Sequence, residues 1–192
     1  MDANPFEPSE AEEIAKHFVQ VWAEAVMRQA ERTRAIRKKA VLDSRNYDRN
    51  EDWSPNEHQL AANYRVWWAE EHTLVWSAYQ LQQWRRRLAE ERGEPAPSEN
   101  QNLKLARDAL EHLNEARLDE DAATPPSAKG PQGRALRDFP DKMLSLSLGG
   151  RTLFEILDPH QLDKEALKVV KSIEDELDAR AQAAYEELLR DR

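Results

Sequence analysis

The sequence predicts an all-α fold: an antiparallel bundle of four long helices with a small β-hairpin inserted before the last helix. Apolar residues recur at helical intervals over most of the 192 residues, and helix-capping patterns precede three of the four periodic segments. One stretch, 143–157, departs from this period, because leucines alternate with serines there before two consecutive glycines. We expect residues 1–192 to form a single helical domain around one core.

The first helix is predicted to begin at Ser9 and to run to about Val41. Ser9 and Glu12 have the spacing of a capping box, in which side chains satisfy free backbone N–H groups at a helix start. Apolar residues then follow at helical intervals. The polar residues 43–53 are predicted to connect this helix to the next.

The second helix has a stronger start signal and a clear end. Ser54 is predicted as its N-cap, Pro55 as its first residue and Glu57 as the partner that completes a capping box. Gly93, which is followed closely by prolines, is predicted to end it. The predicted helix therefore has more than thirty residues.

The rest of the chain is predicted to contain two more helices, with a loop and a hairpin between them. The third helix begins near Ser98, which again has capping-box spacing to Gln101. Residues 119–133 are rich in Asp, Ala, Pro and Gly, which is typical of a flexible loop. Residues 143–157 are predicted to form the β-hairpin, with its turn at the two glycines. The last helix is predicted from about residue 163 to residue 189.

Six tryptophans lie between residues 22 and 84, five of them in the first two helices. Large aromatic side chains at helical spacing are most often core or interface residues. Val66, Trp67 and Trp68 cannot all face one neighbour. The second helix is therefore predicted to contact a second partner, and we expect that partner to be another copy of the chain in a homodimer.

The net charge of −9 argues against a general nucleic-acid-binding protein, which would normally be basic. The charge is uneven, because residues 27–50 carry eight basic and three acidic side chains, and a second basic cluster begins at Arg85. Each patch alone is typical of a solvated helix face. Together they would offer positive surface to an RNA backbone.

The residue types that are missing also restrict the function. Zero cysteines exclude disulfide bonds and thiolate zinc sites. No apolar run approaches the ~18 residues that a membrane span needs, and the N-terminus has neither the basic nor the apolar region of a signal peptide. Neither a Gly-rich phosphate loop nor a Glu-x-x-His pair occurs. We expect a cytoplasmic protein without membrane association, metal or other cofactor.

The segment 103–116 carries the candidate chemistry, because it places Arg107 and His112 on one predicted helix. Histidine exchanges protons near neutral pH, and the guanidinium fork of arginine suits a pair of phosphate oxygens. Asp108 precedes His112 by four residues, a spacing at which a carboxylate can bond and orient the imidazole. These residue types are the minimum needed to break a phosphodiester bond without a metal.

The same residues also allow a purely structural interpretation. Arg107 and Glu111 have the spacing of an ordinary helical ion pair, and His112 could be a surface histidine. Arg65 and His72 form a second pair of similar spacing, in a stretch where packing is the expected role of the neighbours.

The string Arg107-Asp108-Ala109-Leu110-Glu111-His112 resembles the signature of the HEPN superfamily (higher eukaryotes and prokaryotes nucleotide-binding). In that signature an arginine and a polar residue are followed, after three more residues, by a histidine. Members are bundles of four or five helices with the motif on a late helix behind long amphipathic ones. The predicted hairpin also resembles elaborations of some members.

The resemblance implies a metal-independent endoribonuclease that works as a homodimer, with the motifs of both copies facing one cleft. Arg107 would hold the scissile phosphate, His112 would act as general base or acid, and Asp108 would orient His112. The expected products are a 2′,3′-cyclic phosphate and a 5′-hydroxyl. The setting would be a toxin or a defence or stress effector that cleaves tRNA or mRNA, with an antitoxin or other protein as a further partner.

Three neighbours of the motif, Lys104, Glu111 and Asn114, are predicted RNA contacts because of their proximity to it. The alternative function is a non-catalytic dimeric module that binds protein, nucleotide or RNA through the tryptophan-rich helices. In that case binding would depend on Trp67 or Trp68 rather than on His112.

Overall fold

The computed structural model describes residues 8–50, 53–127 and 133–190. These ranges form a mostly helical fold with a small antiparallel sheet and two short 3₁₀ turns. The helices are α1 (Glu10–Arg49), α2 (Glu57–Arg92), α3 (Gln101–Glu111), α4 (Arg134–Asp138) and α5 (Pro159–Arg190). The strands are β1 (Arg117–Asp119), β2 (Ala122–Thr124) and β3 (Leu144–Ser145). The predicted helical class with a small β element is thus confirmed.

Three long helices, α1, α2 and α5, pack side by side. A short connection joins α1 to α2, which therefore run in opposite directions. Glu13 at the start of α1 accepts a hydrogen bond from Arg180 near the end of α5, at 2.7 Å. Arg34 further along α1 pairs with Asp163 near the start of α5, at 2.5 Å. The prediction of four long helices is wrong in one respect, because α3 has only 11 residues.

The helix α1 begins where it was predicted, with the Ser9 hydroxyl accepting a first-turn backbone N–H at 3.0 Å. It runs to Arg49 rather than to Val41, so most of the predicted connection 43–53 is helical. The polar side chains of the extra turns find partners on α2: Asp43, for example, accepts a hydrogen bond from Asn63 at 2.6 Å. Because these partners satisfy the polar groups, the polar composition does not end the helix.

The helix α2 is capped by Asn56 rather than by Ser54. The Asn56 side chain accepts the Gln59 N–H at 3.0 Å, and the Gln59 side chain accepts the Asn56 N–H at 2.8 Å. The Ser54 hydroxyl instead donates to the Asn46 carbonyl oxygen near the end of α1, at 2.7 Å. The helix ends as predicted at Gly93, whose φ of +64° favours glycine.

Only one strand of the sheet lies where the hairpin was predicted. β2 lies within the predicted flexible loop 119–133, and β1 ends at the first residue of that loop. β3, inside the predicted hairpin 143–157, adds two residues on the other side of β2. The buried Ala123 pairs with Leu118 and Leu144 on its two neighbours, so burial of this position outweighs the polar composition around it. Residues 149–157 contain no strand, and residues 128–132 of the predicted loop lie outside the described residues.

The core lies where α1, α2, α3, the sheet and the first half of α5 meet. Its buried side chains include Val19, Val26, Leu74, Leu103, Leu144 and Ile173. α5 begins at Pro159, ahead of the predicted residue 163, and its second half leaves the core, since residues 177–190 are all exposed. Among the described residues, no helix has the length and apolarity to cross a membrane.

Candidate functional site

The predicted motif lies on α3, a short helix that packs along α2. Asn100, and not the predicted Ser98, caps this helix, because its side chain accepts the Leu103 N–H at 3.1 Å. The backbone N–H of Asn100 donates to the Gln82 side chain of α2 at 2.7 Å, which fixes the start of α3 on α2. The apolar face of α3 is buried and consists of Leu103, Ala106, Ala109 and Leu110.

Arg107 is held between two carboxylates and two aromatic rings. Its Nη1 donates to Asp108 at 2.7 Å, and its Nη2 pairs with the predicted partner Glu111 at 2.8 Å. The guanidinium carbon lies 4.8 Å from the ring centre of Tyr79 and 5.7 Å from that of Trp76. Burial lowers the pKa of Arg107, but the Asp108 hydrogen bond and the charge of Glu111 outweigh it and raise that pKa above its usual value.

One donor of this guanidinium is left over: Nε is buried and has no hydrogen-bond partner among the described residues. Both of its carboxylate partners are only one-third exposed, so Arg107 is already charge-compensated in the single chain. A phosphate oxygen that binds Arg107 must therefore compete with Asp108 and Glu111.

His112 lies directly after the last residue of α3 and forms its C-cap. Its side chain is 55% exposed, and Nδ1 lies 3.2 Å from a carboxylate oxygen of Glu115. The predicted contact between the Asp108 and His112 side chains is wrong, since Asp108 bonds Arg107 and only its backbone carbonyl accepts the His112 N–H, at 3.3 Å. The helix ends at Glu111, so the regular i,i+4 spacing no longer aligns the two side chains.

The three predicted RNA contacts have different surroundings. Lys104 is exposed and lies 3.9 Å from Glu99, at the limit of an ion pair. Asn114 is exposed in the 3₁₀ turn Leu113–Glu115. Glu111 is bound to Arg107, so it blocks a phosphate rather than contacting one. Lys104 in the first turn of α3 and Asn114 beyond its last turn are both accessible to a ligand, but they lie near opposite ends of the helix.

A second histidine, His72, lies in a stretch of α2 where packing is the expected role of the neighbours. His72 of α2 is half-buried, and burial lowers its pKa while the negative charge of Glu111 raises it. The negative charge of Glu111 thus raises the pKa of both His72 and Arg107. No local sequence signal shows this, because it arises from the packing of α3 on α2.

Stability should depend on pH through His72. Its folded-state pKa lies below the usual 6.5, so the unfolded chain binds the proton more readily between these two values. The free energy of unfolding should therefore rise with pH across that interval. In His72→Gln this rise should be smaller. Urea unfolding of both proteins at about pH 5 and pH 7.5 measures the difference. An identical pH dependence in both proteins would contradict the assignment.

The basic patches are smaller than their composition suggests. Within residues 27–50, four of the basic side chains pair with carboxylates: Arg28, Arg34, Arg37 and Lys39. In the second cluster Arg86 and Arg87 pair with glutamates one turn later. Among the described residues, Arg32, Lys38, Arg45, Arg49 and Arg85 make no ion pair and supply the free positive charge.

Within the ranges that the structure describes, no three His, Asp or Glu side chains converge as metal ligands do. Comparison with protein-family models, curated proteins and solved structures finds no match to this chain.

Proposed function

We propose that this protein is a metal-independent endoribonuclease of HEPN type that acts on tRNA or mRNA as a toxin or a defence or stress effector. The observation that carries the proposal is the placement of Arg107 and His112 at the same end of α3. The helix rise separates their two backbone positions by about 7.5 Å along the axis. The imidazole is exposed and the guanidinium is fixed by its aromatic neighbours.

The reaction follows from these two groups. His112 removes the proton from a ribose 2′-hydroxyl, and the 2′-oxygen attacks the adjacent phosphorus. The bond from phosphorus to the 5′-oxygen breaks, and the 5′-oxygen takes up a proton from an imidazolium. Arg107 stabilises the negative charge that grows on the phosphoryl oxygens. The products are a 2′,3′-cyclic phosphate and a 5′-hydroxyl.

A second copy of the chain supplies what one copy lacks. A single neutral imidazole accepts a proton, but the leaving oxygen needs a protonated one, and two symmetry-related His112 side chains provide both. Asp108 takes a role different from the predicted one, since it positions Arg107. Glu111 occupies Nη2 until a phosphate displaces it.

Arg107→Lys tests the need for a guanidinium fork. The substitution keeps the positive charge but loses paired donation, so RNA cleavage in EDTA should slow by about 10- to 100-fold. Arg32→Lys, at an exposed position of α1, is the matched control and should cleave like the unmodified protein. Cleavage by Arg107→Lys at the unmodified rate would contradict the role of Arg107, and cleavage that requires a divalent metal would contradict the mechanism.

A non-catalytic dimeric module is the second candidate. The charge compensation of Arg107 favours it, as do the exposed apolar side chains Leu177, Tyr185 and Leu188 on the outer half of α5. The predicted binding surface must be corrected, because Trp67 is buried and donates to Glu71 in the core. A chain that dimerises in sedimentation but leaves structured RNA intact would support this candidate instead.

A further inference from the structure

A cavity of about 260 Å³ lies between α2 and the segment 145–155, and neither Arg107 nor His112 lines it. Glu71 contributes its α2 wall, while Gly149 and Gly150 contribute backbone on the opposite side. The ribonuclease proposal does not use this cavity. Its lining nevertheless contains a buried carboxyl group, which is costly unless something pairs with it.

The two carboxylate oxygens of Glu71 differ in their hydrogen bonding. Its side chain is 1% exposed, and Arg37 of α1 binds Oε1 through Nε at 2.6 Å and Nη2 at 2.5 Å. The indole N–H of Trp67 donates to the same oxygen. Within the described part of the chain, Oε2 receives no hydrogen bond, so it is the oxygen that can accept one from a ligand in the cavity. Burial raises the pKa of Glu71, against the opposing effects of Trp67 and Arg37.

The opposite wall is held in place before any ligand binds. Arg37 donates to the carbonyl oxygens of Arg151 at 3.4 Å and Thr152 at 3.0 Å, which ties this segment to α1. Phe154 and Glu155 then adopt φ values of +47° and +66°, a left-handed conformation that is strained for these residues. The cavity is therefore a preorganised one.

The charged residues that line the cavity determine which sign of charge a ligand should carry. Glu71 and Glu155 both line the cavity, whereas no Lys, Arg or His among the described residues does. Arg37 compensates Glu71, and the exposed Glu155 has no ion-pair partner among the described residues, so the site keeps a net negative charge. An anion is disfavoured there, and a cation is favoured.

We propose that this cavity binds a small organic cation carrying N–H donors, of the guanidinium or primary ammonium class. Glu71 Oε2 accepts one N–H, Glu155 compensates the positive charge, and the Phe154 ring forms an apolar wall. This site is independent of the ribonuclease activity, so either proposal can fail without the other.

Methylguanidinium and its neutral isostere methylurea are matched probes for the test. Methylguanidinium should shift the amide NMR signals of Gly149 and Gly150 in a saturable way with a millimolar Kd, as expected for so few atoms. Methylurea should shift them little, because it lacks the charge. Glu71→Gln should weaken methylguanidinium binding by at least about tenfold, and Glu155→Gln by about three- to tenfold.

Glu155→Gln keeps the test decisive if Glu71→Gln fails to fold, because Glu155 is exposed and outside the Arg37 contacts. Glu187→Gln on the exposed end of α5 is the charge-matched control and should bind methylguanidinium like the unmodified chain. Equal shifts with both probes, or unchanged binding in Glu155→Gln, would overturn the proposal.

Discussion

Replacing His112 by alanine is expected to lower the rate of RNA cleavage by about 10²- to 10⁴-fold, the usual contribution of a general acid or base. The imidazole is more than half exposed, and it lies 3.2 Å from a carboxylate oxygen of Glu115. Its removal should therefore leave the fold intact and change the free energy of unfolding by no more than about 0.5 kcal/mol. Cleavage is measured on a structured RNA in EDTA, and stability by urea unfolding.

The matched control for this variant is His58→Ala, which removes an exposed histidine near the start of α2. It should cleave RNA at the rate of the unmodified protein. If His112→Ala retained full activity with an unchanged fold, the imidazole would have no chemical role. Sedimentation of both variants should give the same oligomeric state, so that loss of activity cannot be assigned to loss of the dimer.

The largest expected effect on stability comes from Arg37→Ala. This change leaves the Glu71 carboxylate, whose side chain is 1% exposed, without the cation that binds it at 2.5 Å. Breaking a buried pair in this way typically costs about 3–5 kcal/mol of unfolding free energy. The variant also releases the carbonyl oxygens of Arg151 and Thr152, so the segment 145–155 should lose hydrogen-exchange protection first.

Arg32→Ala provides the comparison, because Arg32 lies on the same helix but is exposed and has no ion-pair partner among the described residues. It should change stability by no more than about 0.5 kcal/mol. The double variant Arg37→Met/Glu71→Leu should recover part of the loss, since a buried pair is often replaceable by apolar residues. If Arg37→Ala lowered the free energy of unfolding by less than about 1 kcal/mol, the Arg37–Glu71 pair would contribute no more than a surface ion pair does.

Local sequence signals predicted that the helices exist, but they identified the residue that caps the start of the helix correctly only for α1. The serine cap of α1 and the Gly93 end of α2 are confirmed because each depends on backbone geometry within one turn. Ser54 was misassigned because its hydroxyl bonds Asn46 on the preceding helix, a contact that no capping pattern encodes. The extension of α1 to Arg49 likewise depends on side chains of α2.

The sheet could not be located from composition. Alternating leucines predicted strands at 143–157, yet the strand found there has only Leu144 and Ser145, which pair with β2 from the polar stretch before. Leu153 and Leu157 form an isolated antiparallel bridge instead of a second strand. Ala123 forms the centre of that pairing because it is buried. β2 and β3 are far apart in the sequence, so their pairing depends on tertiary packing: the strands form where their side chains cover apolar surface of the helices.

The candidate site was predicted in part. The ion pair of Arg107 and Glu111 is local and is confirmed at 2.8 Å, whereas the Asp108–His112 contact failed because the helix ends between them. Glu71 was missed, although one signal was present: it is a carboxylate within the apolar stripe of Trp67 and Leu74. A charged residue at such a position indicates a buried partner, but the sequence does not identify it as Arg37.

The chemical ends of RNA fragments released in EDTA test the central claim most directly. Attack by a 2′-hydroxyl assisted by His112 and Arg107 requires fragments with 2′,3′-cyclic phosphate and 5′-hydroxyl ends, and a 2′-O-methyl copy of the same RNA should remain uncut. Mass spectrometry of the fragments distinguishes these ends. Fragments with 5′-phosphate ends, cleavage of the 2′-O-methyl strand, or no cleavage at all would contradict the account.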